Sequence, residues 1–293
     1  MRYIDKYSKH QEALEKNRRY LKSVYSRNLL SPTPSPAEGK RSYNSFRRYK
    51  EQWLPLLLDE QSDHNASRCC YCMKRLNDDV SVEHIIPKSL SGETGERQYA
   101  YYSSLAPAVR DHIIMADAFV KKVFSSADDI NFEDKMPHTT GLSNLVASCN
   151  GKGSFGMNGC CCNNSRQEDT IMPIMLMENA NTDVKYDANG IMTITCDDGT
   201  LDKIIKVLNA DTIQEIRSIW YHLSQTDIDM SQVRDMNVIE RIELFKTAYS
   251  TPIFATLKEE IKRYTSFREK DNSDVYWNLL LSYDWFYYKY KQI

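Results

Sequence analysis

Cysteine placement constrains this chain more than any other feature. Seven of the eight cysteines fall into three tight places: Cys69, Cys70 and Cys72, then Cys149, then Cys160, Cys161 and Cys162. The N-terminus, MRYIDKYSKHQEAL, lacks the apolar core of a signal peptide, and a cytoplasmic location is the default expectation. In that compartment clustered cysteines are metal ligands more often than disulfides. Cys69-x2-Cys72 can chelate one Zn²⁺ from a tight knuckle, and a second pair must complete a tetrahedron. Cys149 with Cys162 is the expected completing pair, because the 12 residues between them include 4 glycines and can fold back as a loop. Cys160 and Cys161 compete for that place, and Cys70 is expected to be a small packed thiol.

Between the two pairs lies VEHIIPKS (82–89), with Glu83 and His84 adjacent. A histidine after a glutamate is usually structural. Its position directly behind a metal knuckle makes it a candidate for chemistry, with the metal as the brace.

Charge adds a second constraint. The net charge of −2 hides an asymmetry. Residues 1–50 hold 13 Lys/Arg against 4 Asp/Glu, a net +9, and the remainder holds 25 against 36, a net −11. A basic arm on an acidic body suits a polyanionic partner, and tyrosines interleaved with the charges suit base stacking. The plainer alternative is an amphipathic helix whose tyrosines pack inward. No apolar run approaches the roughly 20 residues that span a bilayer.

Periodicity gives a coarse architecture. Helices are expected over 5–30 and over SFRRYKEQWLPLLLDEQ, with Pro55 bending the second or ending its first part. SPTPSPAEGK (31–40) is a connector. VSVEHI reads as a short strand and NLVASCN as a strand or turn. The stretch TDVKYDANGIMTITCDDG reads as a hairpin around Ala188-Asn189-Gly190. From residue 201 onward the pattern is helical, and Trp277, Leu280, Leu281, Trp285 and Tyr288 fit one face of a terminal helix. Three parts are expected: an arm (1–60), a cysteine-bearing core (61–175) with a helical insertion (90–142), and a hairpin plus helices (176–293).

VEHIIPKS, then LSNLVASC, then CNNSR stand in the order of the H-N-N form of the HNH endonuclease motif, which this chain resembles. RCCYC, EHIIPKS, NLVASCNGKG and CNNSR, followed by VKYDANGIMTI and IIKVLN, are similar to the PtuB-like effectors of Septu anti-phage defence, also found with some retrons. The likeness covers roughly residues 45–210. It implies an α+β fold: a mostly helical chain around a zinc-braced ββα-metal core. It also implies nucleic-acid phosphodiester hydrolysis, with His84 as general base and Asn144 bracing the loop that orients it. Glu83, where many members carry Asp, and Asn163 would hold a catalytic Mg²⁺ or Mn²⁺. Lys88 and Arg166 would lie where backbone phosphates pass. The sequence departs from the pattern in the 59 residues between His84 and Asn144, in the triple cysteine run, and in Ser165-Arg166-Gln167, which replaces the usual Lys-Gly.

Such effectors work with a PtuA-like ABC/SMC-type ATPase and, in retron systems, a reverse transcriptase and its nucleic acid. This chain has no G-x4-G-K-[ST] loop, so any ATP dependence must come from a partner. DNA and tRNA are both expected substrates. The competing expectation is a catalytically silent zinc module that binds nucleic acid or a partner.

Overall fold

The computed structural model describes residues 1–6, 8–17, 19, 47–77, 80–85, 87, 141–151, 161–167, 169, 171–195, 200–208, 210–248 and 270–292. The connector at 31–40, most of the insertion at 90–142, Lys88, Cys160 and Cys196 lie outside them.

The first residues are part of the core. Met1 and Ile4 are buried, and the backbone N–H of Ile4 donates to the Met175 carbonyl at 2.7 Å. Lys6 has no exposure and ion-pairs with Glu60, while its Nζ also donates to the Leu145 carbonyl at 2.9 Å. Lys6 is therefore not one of the arm's free charges. A helical stretch follows at 11–17. Tyr3 and Trp53 are half-buried against the core, and the arm's other tyrosine and phenylalanine side chains lie outside the description.

Helix α1 (Arg47–Glu60) runs through Pro55 without ending there. Proline removes one backbone donor from the helix. The C-terminal half compensates by burying Leu57 completely and packing Leu56 and Leu58 on the core. Strands β1 (Ser62–Asp63) and β2 (Ala66–Ser67) form a minimal hairpin on a two-residue turn, His64-Asn65, with both residues at positive φ.

The central element is the antiparallel pair β3 (Val80–His84) and β4 (Leu145–Cys149), in register from Val80↔Cys149 to His84↔Leu145. All five β4 residues are buried. Its outer edge does not go unpaired. The Gln61 amide accepts from the Ala147 N–H (2.7 Å) and donates to its carbonyl (2.8 Å), and the Cys70 N–H reaches the same carbonyl at 3.1 Å. A side-chain amide and a turn thus finish the ladder that a third strand would otherwise make. Helix α2 (Cys162–Arg166) packs against β4.

The expected hairpin is present as β5 (Val184–Tyr186) and β6 (Met192–Ile194). Asp187 Oδ1 accepts from the N–H groups of Asn189 and Ile191, and Gly190 takes φ +74. Beyond it come α3 (Thr200–Leu208), α4 (Gln214–Ser224), α5 (Val238–Ala248), α6 (Lys270–Ser282) and α7 (Trp285–Lys291). Helix α4 lies against α7 and buries Ile219, Trp220 and Leu223, and the Trp220 Nε1–H donates to the Leu280 carbonyl at 3.0 Å.

The terminal apolar stripe is split between two helices rather than carried by one. The break at Tyr283-Asp284 has a cause: Asp284, 2 % exposed, leaves the helical row to accept from Arg68 Nη1 (2.7 Å) and Arg75 Nε (2.9 Å). Contacts cross both expected domain boundaries, Lys6 to Leu145 in one direction and Asp284 to Arg68 and Arg75 in the other. Among the described residues no helix is long and apolar enough to cross a membrane.

Candidate metal centre and adjoining polar site

The cysteine knuckle is a closed turn. The Cys69 N–H donates to the Lys74 carbonyl (2.8 Å), the Met73 N–H donates back to the Cys69 carbonyl (3.1 Å), and Met73 turns the chain at φ +64. Arg68 and Arg75 pair across its base and are both tied to Asp284. Cys149 arrives from the end of β4, where the register sets it opposite Val80, and its N–H points at Cys69 Sγ at 3.4 Å. Cys162 enters at the first residue of α2, at φ +54.

Gly151 brings the last ligand within reach. It sits at φ +62 and accepts from the Cys161 N–H at 2.8 Å, so close that a Cβ there would lie 1.7 Å from the Cys161 carbonyl oxygen. Only glycine allows the two ends of the 152–160 segment to meet this tightly.

The sulfurs of Cys69, Cys72, Cys149 and Cys162 all lie within 4.8 Å of one another, and all four residues are buried. A tetrahedron with Zn–S of about 2.3 Å sets its sulfurs about 3.8 Å apart. Cys72 and Cys149 are 3.8 Å apart, far beyond disulfide length, and the six described cysteines are free thiols. The register left open by the triple cysteine run resolves on Cys162: Cys161 is buried but stands outside the four, and Cys70 is a buried neighbour.

Electrostatics favour a cation here. Burial works to raise the Cys69 thiol, yet hydrogen bonds from Cys149, Cys162, Cys70 and Cys72 draw it well below its ordinary value. Hydrogen bonding to Cys161 pushes Cys149 up, burial pushes Cys72 up, and hydrogen bonding to Cys149 pushes Cys162 up. Burial disfavours four thiolates side by side, whereas a dication would let all four ionise. The buried four-cysteine group can hold a metal ion such as zinc.

The other candidate residues cluster on the same β3–β4–α2 unit. Alternation along β3 puts Ser81 and Glu83 on one face, and α2 covers it. Asn163 Nδ2 donates to Ser81 Oγ at 2.8 Å, and Ser81 Oγ meets Ser148 Oγ at 3.0 Å. Arg166, one turn beyond Asn163, is 1 % exposed and reaches four residues around Glu83. Its Nη1 donates to Glu83 Oε1 (2.6 Å), the Tyr71 hydroxyl (2.8 Å) and the His84 carbonyl (2.7 Å), while Nη2 donates to the Ile85 carbonyl (2.6 Å) and Nε to the Asp169 carbonyl (3.0 Å). Burial pushes the Glu83 carboxyl above its ordinary value, against the pull of Arg166.

The expectation that Arg166 faces passing phosphates is thus corrected. Its guanidinium is spent inside the protein as the clamp that holds the end of β3. Sequence reasoning also missed Tyr71 and Ser81. The signal for Ser81 was its place two residues before Glu83 on one strand face. Arg166 follows Asn163 by three residues, a spacing that shares a helix face.

His84 ends β3 opposite Leu145 and is buried. Asn144, fully buried, closes the 3₁₀ turn Leu142–Asn144 that leads into β4, and its carbonyl accepts from the Ile85 N–H at 2.9 Å. The two candidates are therefore neighbours at the end of the β3–β4 pair where the intervening segment leaves and returns. Compared with family models, curated proteins and solved structures, the chain matches none.

Proposed function

We propose that this chain is an HNH-type endonuclease that hydrolyses nucleic-acid phosphodiesters with the help of Mg²⁺ or Mn²⁺. It would act as the effector of a PtuB-like anti-phage system whose ABC/SMC-type ATPase supplies any ATP dependence. The observation that carries the reading is the division of labour along one hairpin. Four cysteines gather at the Val80↔Cys149 end, and Glu83, His84 and Asn144 gather at the His84↔Leu145 end, with Asn163 bonded to Ser81 on the strand between them.

The donor atoms suit a hard cation. Both contacts to Glu83 fall on Oε1, which leaves Oε2 for an ion, and Asn163 is anchored through Nδ2, which leaves Oδ1. Ligating carboxylates are commonly held in this way by a second hydrogen-bonding partner. Oxygen donors select Mg²⁺ or Mn²⁺ over softer metals, and such an ion supplies charge stabilisation to a phosphate. The chain's own work falls to His84, whose neutral imidazole takes a proton from attacking water near pH 7. Asn144 holds the turn beside it, and Arg166 fixes the His84 backbone through its carbonyl.

One observation favours a second reading, the silent zinc module. Glu83 is satisfied by Arg166 and Tyr71 as it stands, a role that needs no catalysis. Incubating the full chain, with the partner ATPase and ATP, on plasmid DNA and on tRNA in Mg²⁺ and in Mn²⁺ separates the two. Cleavage that EDTA stops is the expected result. A zinc-loaded, folded protein that cuts neither polymer under any of these conditions leaves the silent module.

A further inference from the structure

A small cavity lies between the cysteine cluster and α4. Met1, Cys72, Cys161, Cys162, Tyr186 and Arg217 are among the residues that line it. Arg217 is 2 % exposed, and its Nε and Nη2 have no hydrogen-bond partner among the described residues. The other buried basic side chains each meet a carboxylate: Lys6 meets Glu60, Arg68 meets Asp284, and Arg166 meets Glu83. Arg217 forms no such ion pair among the described residues. The Tyr186 ring lies 5.4 Å from its guanidinium carbon, a contact with the flat face that leaves the in-plane N–H groups unmet.

A guanidinium cannot shed its proton to escape this burial, and Asp211 acts on it without forming an ion pair, so a negative charge facing it would offset the remaining cost. The cavity's free volume of about 20 Å³ holds roughly one water. That is too little for a phosphate or a carboxylate ligand, so the compensating charge must belong to the wall. Four thiolates around one Zn²⁺ carry 2 − 4 = −2, and in a low-dielectric interior that charge acts strongly on its surroundings.

We propose that Arg217 is the counter-cation of the buried metal tetrathiolate, joined to it across the cavity directly or through one water. The inference rests on the four cysteines holding zinc. It explains why an arginine without a carboxylate persists in this core, and why a doubly negative metal centre can be buried. It also couples zinc loading to the seating of α4, and through α4 to α7.

Zinc affinity tests the proposal, measured on the full chain by competition with a chromophoric chelator and accompanied by metal content and thermal melting with and without zinc. Wild-type protein must carry one zinc per chain; if it carries none, the metal reading fails rather than this one. Arg217→Met, which keeps much of the stem and removes the charge, is expected to weaken zinc binding about 10- to 100-fold, the usual cost of losing an outer partner of a metal site. Arg217→Lys, which keeps the charge, is expected to stay close to wild type. If Arg217→Met lowers the melting temperature but binds zinc as tightly as wild type, the proposal is overturned. If Arg217→Met fails to fold in excess zinc while Arg217→Lys folds and loads, charge is the requirement and the proposal stands. If both variants fail alike, shape rather than charge is required and it falls.

Discussion

The two ends of the β3–β4 hairpin solve the same problem in opposite ways. Each gathers polar groups inside the protein. At the Cys149 end the groups are four like thiols that repel one another as they ionise, so the end depends on a cation from outside. At the His84 end the chain brings its own cation: Arg166 satisfies Glu83, Tyr71 and two backbone carbonyls. One end can take a metal, and the other is held by the chain's own arginine. On the proposed reading, a loaded brace beside a pre-held site would suit an enzyme whose catalytic ion comes and goes while its fold does not.

The largest effect expected from this contrast is metal removal. Cys149→Ser, or chelation of the wild type, should unfold the cysteine end and with it the hairpin. Structural zinc supplies about 10–16 kcal/mol of apparent binding free energy, more than the whole stability of an ordinary domain. Loss of cooperative melting together with loss of zinc is the expected readout. A chelated protein that melts like the loaded one would show that the cluster does not brace the fold.

Second is the clamp. Arg166→Met should cost about 3–5 kcal/mol, because it leaves Glu83 buried without its partner. Zinc content should stay at one per chain. The double variant Arg166→Met with Glu83→Gln should recover part of the loss, since the cost lies in breaking the pair. Urea unfolding measures both. If Arg166→Met leaves stability untouched and weakens only nucleic-acid binding, Arg166 faces phosphates after all.

Third is His84→Ala. Its effect should appear in activity and hardly in stability: about 10²- to 10⁴-fold slower cleavage if His84 is the general base. The zinc end carries none of this loss. A folded, zinc-loaded His84→Ala protein that cuts at the wild-type rate would remove His84 from the mechanism.

The cysteine end was legible in the sequence because its signal is one of spacing. Cys69-x2-Cys72 fixes a knuckle, and glycines between Cys149 and Cys162 announce a return. The choice among Cys160, Cys161 and Cys162 was not legible, because it depends on the Cys161 N–H bonding the Gly151 carbonyl, a contact no periodicity encodes. The strands and the β5–β6 hairpin followed from alternation and an Asn-Gly turn. Arg166 was misread because an arginine after Cys-Asn-Asn-Ser looks solvated until the strand end that it clamps is seen. The break at Asp284 was hidden for a like reason. Its partners, Arg68 and Arg75, lie more than two hundred residues earlier, and long-range pairing leaves no local pattern.

The smallest and most discriminating effect concerns Asn163, on the same short helix as Cys162: Cys162 belongs to the cluster, and on the proposed reading its neighbour serves the other site. Asn163→Ala removes Oδ1 and the bond from Nδ2 to Ser81 together. The lost hydrogen bond alone should cost about 0.5–1.5 kcal/mol. Ser81→Ala removes that bond together with the Ser81–Ser148 contact and keeps the Asn163 oxygen, so it should lose at least as much stability while retaining most of the activity. If Oδ1 holds the catalytic ion, activity of Asn163→Ala should fall further than that of Ser81→Ala and climb back as Mg²⁺ or Mn²⁺ is raised. His84→Ala should show no such recovery. Equal activity losses in Asn163→Ala and Ser81→Ala, both indifferent to metal concentration, would make Asn163 a structural link between α2 and β3 and return the site to the silent reading.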